Sequence, residues 1–269
     1  SELVDTFELM EATKSRLALT DYLVSLIDNT PATIIDKVIY LIQGKLRPDY
    51  EGIELGIAEK MIIRALSRAL SVDISSIEEV YRQTGDLGDA ARKIISSKEN
   101  KVTTRFTVEH IYSTLEEIAR TTGAGSQELK VNHIVELLNH STPREARYII
   151  KFIMGTLRLG IADYTVMDAL AIAFTGNKSN RKILEDAYNV CSDLGTVAKI
   201  VAIKGIEAVK TIQITLFKPI RPMLAERVRT AQEALSRMED GVAAAEYKLD
   251  GERIQVHLGK ELYDGDNNN

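Results

Sequence analysis

The sequence predicts a mainly helical protein, in which a duplicated helical domain with approximate two-fold symmetry precedes the first strands of an α+β domain. Three observations support this prediction. From Ser1 to about Ile206, apolar residues recur at spacings of three and four, the period of amphipathic helices. Several segments of this part occur twice, in the same order. Near the end of the chain, apolar and polar residues alternate with the period of a strand.

The composition limits the classes of protein to which the chain can belong. A chain of 269 residues, 45% hydrophobic and 27% charged, can form one large or two medium domains. Cys191 is the only cysteine and the four histidines lack metal-ligand spacing, so we predict neither a disulfide nor a metal site within this chain. Without a membrane-spanning run or a signal peptide, we expect an intracellular protein. The net charge of −5 argues against coating nucleic acid by bulk electrostatics.

The predicted elements follow from local signals. Thr30-Pro31 and Thr142-Pro143 each read as an N-cap followed by a first-turn proline. We predict a helical domain over 1–208 and a second domain over 209–269. The second domain should begin with one amphipathic helix over 226–238.

The helical domain contains an internal duplication, with repeats at about 1–100 and 105–206. The register of the two copies changes because the first copy carries an extra loop, Pro48 to Glu54. Four pairs of similar segments, called echoes below, occur in the same order in both copies. Chance alone would not supply four, so we expect two similar helical halves. The echoes pair Thr30-Pro31 with Thr142-Pro143, 40–47 with 151–158, 55–59 with 159–163, and Tyr81 plus 86–88 with Tyr188 plus 193–195.

The duplication indicates a way to bind DNA, whose backbone has local two-fold symmetry. Gly56 and Gly160 each precede a helical run, where free N–H groups and the helix dipole favour a phosphate. Arg47 and Arg158 stand close to them in the sequence. Such contacts position a protein on DNA without reading its sequence. Alternatively, the glycines only allow tight turns and the arginines are solvated.

A second motif lies near the end of the chain. Asp250-Gly251 separates two predicted strands, 241–245 and 254–258, and is a strong hairpin signal. On such a hairpin Lys248 faces Arg253, and a nearby cation favours the neutral, nucleophilic amine. The residues resemble the signature Lys-x-Asp-Gly-x-Arg of the covalent nucleotidyltransferases. The alternative is an ordinary exposed hairpin with mixed charges.

Motifs nearer the start of the chain show which of these families the sequence resembles. The chain resembles ATP-dependent DNA ligases of the archaeal and eukaryotic replicative type over essentially its whole length: a DNA-binding domain and the start of an adenylation domain. In that family the helical domain encircles nicked duplex DNA and grips the minor groove. The residues that carry the resemblance are 1–17, 43–48, 54–57, 85–88, 155–162, 165–171, 219–225 and 246–253.

The resemblance also implies residue roles. Thr156, Arg158 and Gly160 match DNA-contact positions, with Gly56 as their counterpart in the first half. Thr156 stands where some relatives carry arginine.

For the nucleotide, the resemblance implies that Lys248 becomes adenylated, Glu246 helps to recognise adenine and Arg253 contacts the bound nucleotide. It implies ATP and Mg²⁺ as cofactors of the full-length enzyme. The family's later motifs, which hold the metal and the phosphates, are not in this sequence. We therefore expect this stretch alone neither to seal a nick nor to adenylate itself.

The sequence also allows other interpretations of the function. The chain could be a non-catalytic DNA-binding module, or an RNA ligase or capping-type enzyme that shares the lysine motif. A-form RNA has a different groove shape, which argues against the last reading. An NAD-dependent ligase would carry a nicotinamide-recognising segment that we do not find. A sliding clamp is a further candidate partner, although no clear clamp-binding motif is found, and we expect a monomer.

Overall fold

The computed structural model describes residues 1–98, 106–222, 226–238, 240–247, 250–252 and 254–259. Within these ranges the protein is mainly helical, as predicted. None of the helices in the described ranges is long and apolar enough to cross a membrane. The α-helices are α1 (Glu2–Glu11), α2 (Arg16–Asp28), α3 (Ile35–Ile42), α4 (Glu59–Leu70), α5 (Ile74–Thr84), α6 (Leu87–Ser96), α7 (Val108–Arg120), α8 (Ser126–Asn139), α9 (Pro143–Ile153), α10 (Asp163–Thr175), α11 (Arg181–Cys191), α12 (Leu194–Lys204), α13 (Ile206–Val209) and α14 (Ala231–Ser236).

The buried apolar side chains form two clusters, and each cluster takes helices from both sequence repeats. The first lies mainly between α1, α2 and α3 on one side and α10, α11 and α12 on the other. The second lies mainly between α4, α5 and α6 and the helices α7, α8 and α9. The repeats at 1–100 and 105–206 therefore do not enclose a core each. The first half of one repeat packs with the second half of the other.

Contacts between the repeats are reciprocal. Helix α3 packs on α12, while α9, which carries the echo of α3, packs on α6, whose echo is α12. In the same way α2 packs on α10, and α8 packs on α4. The four most extensive contacts between the repeats thus form two pairs with exchanged roles.

The echoed Asp-Leu-Gly segments begin α6 and α12. In 86–88 and in 193–195 the aspartate is the N-cap, and its carboxylate accepts the N–H of Asp89 or of Thr196, at 2.9 Å in both cases. The leucine of each segment is buried. The first two residues of each echo are therefore explained by capping and by core packing.

The glycine of each segment lets two helices approach closely. A Cβ on Gly88 would lie 2.6 Å from the carbonyl oxygen of Arg147 on α9, and a Cβ on Gly195 would overlap the ring of Tyr40 on α3. Real Cβ atoms do not approach so closely without displacing their neighbours. The Tyr40 hydroxyl also donates to the Asp193 carboxylate at 2.7 Å, and burial raises the pKa of this tyrosine. These two glycines set the distance between the repeats.

Charged side chains reinforce the contact of α9 with α1 and α6. The side chain of Arg147 is only 13% exposed and pairs with Glu11 at 2.6 Å and with Asp89. One turn further along α9, Lys151 pairs with Asp86 at 3.2 Å. Because these cations belong to the second repeat and the carboxylates to the first, the ion pairs hold the repeats together.

Three carboxyl groups around α9 have pKa values below their usual range. The hydrogen bond from Arg144 lowers the pKa of Glu8. Burial opposes ionisation of Asp89, but the guanidinium of Arg147 outweighs it and lowers the pKa. Burial likewise opposes ionisation of Glu145, but hydrogen bonds within the capping box of α9 lower its pKa.

The two Thr-Pro pairs differ in the structure. Thr142 is the N-cap of α9, with a capping box and a first-turn proline, as predicted. Thr30 does not cap α3, so that prediction is wrong. Its hydroxyl donates to the carbonyl of Leu26 at 2.6 Å and is therefore used by the preceding helix. A turn closed by the N–H of Ile34 and the carbonyl of Pro31 separates Thr30 from α3.

The helix predicted over 226–238 is shorter than expected. Only Ala231–Ser236 is helical among the described residues of this stretch, as α14. The Thr230 side chain accepts the N–H of Glu233 at 3.1 Å and so fixes the helix start there.

The predicted strands are not seen in the described part of the second region. Residues 241–247 are exposed and belong to no strand, and the apolar side chains of 254–258 face solvent. The polar side of the second segment lies against the preceding chain instead, because Gln255 Nε2 donates to the Ile220 carbonyl at 2.6 Å. A strand needs neighbouring strands for its backbone hydrogen bonds, and an isolated hairpin is marginal in water.

The close contacts at Gly88 and Gly195 predict that an added methyl group lowers the free energy of unfolding. Gly88→Ala and Gly195→Ala should each lower the free energy of unfolding by about 1–3 kcal/mol, although alanine is the better helix former. Urea denaturation measures this change. Lys93→Ala, at an exposed position of α6, is the matched control and should be nearly neutral. Equal stability of the glycine variants and the control would contradict the close approach.

The lowered pKa values predict acid sensitivity. Because the carboxyl groups of Glu8, Asp89 and Glu145 have lower pKa values in the folded state, their stabilisation is present above the ordinary values of 4.5 and 3.8 and is lost as the pH falls through the lowered values. The free energy of unfolding, measured with urea between about pH 7 and about pH 3, should therefore fall below about pH 4.5. Arg144→Met should make this fall smaller, whereas an unchanged pH profile would contradict the role of Glu8.

Candidate nucleic-acid interface

Two equivalent loops carry most of the predicted DNA contacts. The first loop, residues 43–58, joins α3 to α4, and the second loop, residues 154–162, joins α9 to α10. Each begins with a left-handed glycine, Gly44 or Gly155, in a Schellman arrangement that satisfies the carbonyls of the preceding helix. Thr156 follows this glycine and is exposed, and its N–H bonds a carbonyl of α9 at 2.9 Å. The start of each echoed loop is therefore a helix C-cap.

The end of each loop leads into a helix without a side-chain cap. Gly56 and Gly160 are exposed and have φ values of +60° and +68°, which favour glycine. The N-caps that follow are Ala58 and Ala162, whose side chains cannot accept a hydrogen bond. The first N–H groups of α4 and α10 therefore have no side-chain acceptor at the N-cap. Helix starts of this kind favour anions.

The two loops lie on one face of the molecule. An open depression of about 570 Å³ is lined by the first loop and by the end of α9, and another of about 410 Å³ by the end of α3 and the second loop. Gln43 lines one depression and Gly44 the other, so the depressions adjoin. Gln43 Nε2 also donates to Asp163 Oδ1, at the start of α10, at 2.8 Å. Each loop is thus completed by the opposite repeat.

The two predicted arginines have different surroundings. Arg47 is partly buried, and its Nε donates to Glu116 of α7 at 2.7 Å. Burial disfavours its charge, but Glu116 outweighs this effect and raises the pKa of Arg47. Arg158 is exposed and forms no ion pair with a carboxylate of the described residues. Arg158 is therefore available to an external anion, whereas Arg47 already has one partner.

Carboxylates at the starts of α4 and α10 are held in the same way. Tyr81 donates to Glu59 at 3.0 Å, and its echo Tyr188 donates to Asp163 at 2.8 Å. Arg221, which follows the helical domain, donates to Tyr188 at 2.5 Å and lies 3.4 Å from the same Asp163 carboxylate. The echo therefore extends to side-chain contacts, and the second copy has an additional cation.

Sequence reasoning missed the basic residues around Gly160. Arg16, Lys178 and Arg181 line one concavity with this glycine. The mostly buried Asp168 pairs with Lys178 at 3.0 Å and with Arg181 at 3.3 Å. These residues come from separate parts of the chain, so no local pattern connects them.

A basic residue beside Gly56 was also missed. Lys130 on α8 is 8% exposed, and its Nζ donates to the Leu55 carbonyl at 2.7 Å. A lysine within an amphipathic helix usually lies on the solvated face. Lys130 precedes the apolar Ile134 and Leu137 by four and seven residues, the spacing of one helix face, and this spacing was the available signal.

The predicted nucleotide site is described only in part. Glu246 is exposed, while Lys248 and Arg253 lie outside the described residues. Within the portion of the chain that the structure describes, no three His, Cys, Asp or Glu side chains are grouped as metal ligands.

Comparison with known families identifies the class of protein. Residues 1–171 match the family model described as "DNA ligase N terminus", and residues 222–264 match that of the "ATP dependent DNA ligase domain". The chain therefore belongs to the DNA ligase family, of the ATP-dependent type. This result confirms the resemblance inferred from the sequence.

Individual relatives agree with the family models. The chain is 55% identical to a DNA ligase of Nitrosopumilus maritimus over 263 residues, 46% identical to one of Saccharolobus solfataricus over 265, and 47% identical to a probable DNA ligase of Aquifex aeolicus over 262. These alignments cover 96%, 95% and 97% of this chain, but 44%, 44% and 45% of the relatives. The chain thus spans less than half the length of these relatives.

Proposed function

We propose that this chain is the DNA-binding part and the start of the catalytic part of an enzyme that seals nicks in duplex DNA with ATP. The observation that carries the DNA-binding role is the pair of equivalent loops on one face, each ending at an uncapped helix start. The family match and the relatives named as DNA ligases support the catalytic role.

The helical domain, placed at 1–208, has an approximate two-fold axis between its repeats. The exchanged partners of α3 and α9, and of α2 and α8, support this symmetry. The two strands of a duplex present similar phosphates on either side of a local dyad. A protein with the same symmetry can therefore place one loop against each strand.

The loops bind backbone phosphates of nicked duplex DNA. The N–H groups that follow Gly56 and Gly160 supply donors and a helix dipole, which require no net positive charge. Arg158 and Thr156 add an exposed guanidinium and a hydroxyl in the second loop. Arg47 contributes less, because Glu116 already holds its guanidinium. Backbone donors reconcile DNA binding with the net charge of −5.

The second region, 209–269, begins the adenylation domain, and the match over residues 222–264 supports this assignment. In the whole protein, the neutral amine of Lys248 attacks the α-phosphorus of ATP and pyrophosphate leaves, which gives a lysine–AMP adduct. AMP then passes to the 5′-phosphate at the nick, and the 3′-hydroxyl displaces it. Glu246 recognises adenine and Arg253 contacts the nucleotide, with Mg²⁺ as the metal. The sliding clamp, the monomeric state and the intracellular location stay predictions.

Arg158→Ala should weaken binding of nicked duplex and reduce the slope of log affinity against log salt by about one phosphate contact. Arg47→Ala should have a smaller effect, since Glu116 competes for that guanidinium. Titration of labelled nicked duplex at several salt concentrations measures both. An unchanged salt slope for Arg158→Ala would remove Arg158 from the phosphate contacts.

In the whole protein, Lys248→Ala should abolish transfer of label from ATP to the protein, because no other group replaces the attacking amine. Binding of nicked duplex should persist. Lys210→Ala removes an exposed lysine that pairs with Glu207 and serves as the control, with labelling retained. Labelling of the Lys248 variant at the normal level would exclude Lys248 as the nucleophile.

A further inference from the structure

Lys130 occupies an unusual position beneath the first loop. Its side chain comes from α8, in the opposite repeat, and the residue is 8% exposed. Its Nζ donates to the Leu55 carbonyl at 2.7 Å, and a Cβ on Gly56 would lie 3.3 Å from the same nitrogen. The ammonium therefore lies directly against the turn that leads into α4.

The charge of Lys130 has no anionic partner in the described part of the protein. Its acidic neighbour on α8, Glu128, instead pairs with Arg64 at 2.6 Å and with Arg68. The one acceptor that bonds Lys130 is a neutral carbonyl. A buried ammonium is costly unless a negative charge compensates it. The site therefore favours an anion at the surface of the turn.

We infer that Lys130 is a phosphate-binding residue at the start of α4, an inference that rests on the proposed DNA-binding function. Its ammonium fixes the Leu55–Gly56 turn and supplies the positive charge that a backbone phosphate of the duplex neutralises. Gly56 is exposed, and a side chain at this position would begin 3.3 Å from the ammonium, so the absence of a side chain leaves that space to a phosphate oxygen. The uncapped N–H groups of α4 and the buried charge then act on the same phosphate.

The second loop has no equivalent of this lysine among the described residues. No atom lies within 4 Å of a Cβ built on Gly160, whereas the ammonium of Lys130 lies within that distance at Gly56. The positive charges near Gly160 are instead the exposed Arg158 of the second loop and the more exposed side chains of Arg16, Lys178 and Arg181, of which Lys178 and Arg181 already pair with Asp168. The first loop thus binds through a buried, fixed cation and the second through an exposed, adaptable one.

Three substitutions of Lys130 separate its charge from its role in the turn. Lys130→Met removes both the charge and the donor to Leu55. Lys130→Gln keeps an amide donor but no charge, and Lys130→Arg keeps the charge. Lys93→Met, at an exposed position of α6, is the control for the loss of one positive charge. Affinity for nicked duplex is measured against salt concentration, with urea unfolding of each variant in parallel.

Lys130→Met and Lys130→Gln should each weaken binding about tenfold, the loss expected for one charged hydrogen bond, and reduce the salt slope by about one. Lys130→Arg should keep the slope. Lys93→Met should change affinity less than about twofold, because Lys93 lines neither depression beside the loops and an exposed charge is screened by salt. Urea unfolding shows which variants stay folded under the binding conditions, because Lys130→Met also removes the donor to the Leu55 carbonyl.

Several results would overturn the inference. Unchanged affinity and salt slope for Lys130→Gln would show that the lysine serves only the turn. Equal losses of affinity for Lys130→Met and Lys93→Met would show that only the net charge of the protein matters, and not the position of Lys130. If Lys130→Met fails to fold, the comparison of Lys130→Gln with Lys130→Arg decides alone. Failure of the unaltered chain to bind nicked duplex would refute the proposed function itself, whereas normal binding by every variant refutes only the role of Lys130.

Discussion

The close approach of the two repeats at Gly88 and Gly195 is the constraint on which the structure depends. Each glycine lets a helix of one repeat lie against the backbone or a ring of the other. These contacts are made by α9 and α3, the helices that lead into the second and the first loop. Because each hydrophobic core is shared between the repeats, neither loop can be positioned by its own repeat alone. Added volume at either glycine would therefore displace the candidate interface as well as the core.

The two sequence copies share backbone features, while the side chains at equivalent places differ. At equivalent places in the two contacts, Tyr40 bonds Asp193 at 2.7 Å, whereas Lys151 pairs with Asp86 at 3.2 Å. The loops show the same contrast, because their glycines and helix starts are repeated while the cation at Lys130 is not. A nick interrupts only one strand of a duplex. Under the proposed function, two loops with similar backbones and unequal charges would suit such a substrate better than two identical loops.

Local patterns in the sequence predict most of the helices and place Gly56 and Gly160 just before α4 and α10, because capping and periodicity act over a few residues. They could not predict that the repeats exchange partners, which depends on contacts between distant helices. The same limit applies to Arg47, whose partner Glu116 lies 69 residues away, and to Lys130, whose burial depends on the first loop. The alternation at 254–258 predicts a strand, but its apolar side chains face solvent in the described residues.

The segment after the helical domain is tied to the same helix start that ends the second loop. The N–H of Arg221 bonds the Asn189 carbonyl at 2.8 Å, and its guanidinium reaches Tyr188 and Asp163. Asp163 is the first residue of α10, close to Gly160, and it also accepts from Gln43 of the first loop. A phosphate bound at this helix start would repel the Asp163 carboxylate. The guanidinium of Arg221 would then stabilise this carboxylate more than it does without the phosphate. Under the proposed function, DNA binding at this helix start and the placement of the following segment would therefore be coupled through the Asp163 carboxylate.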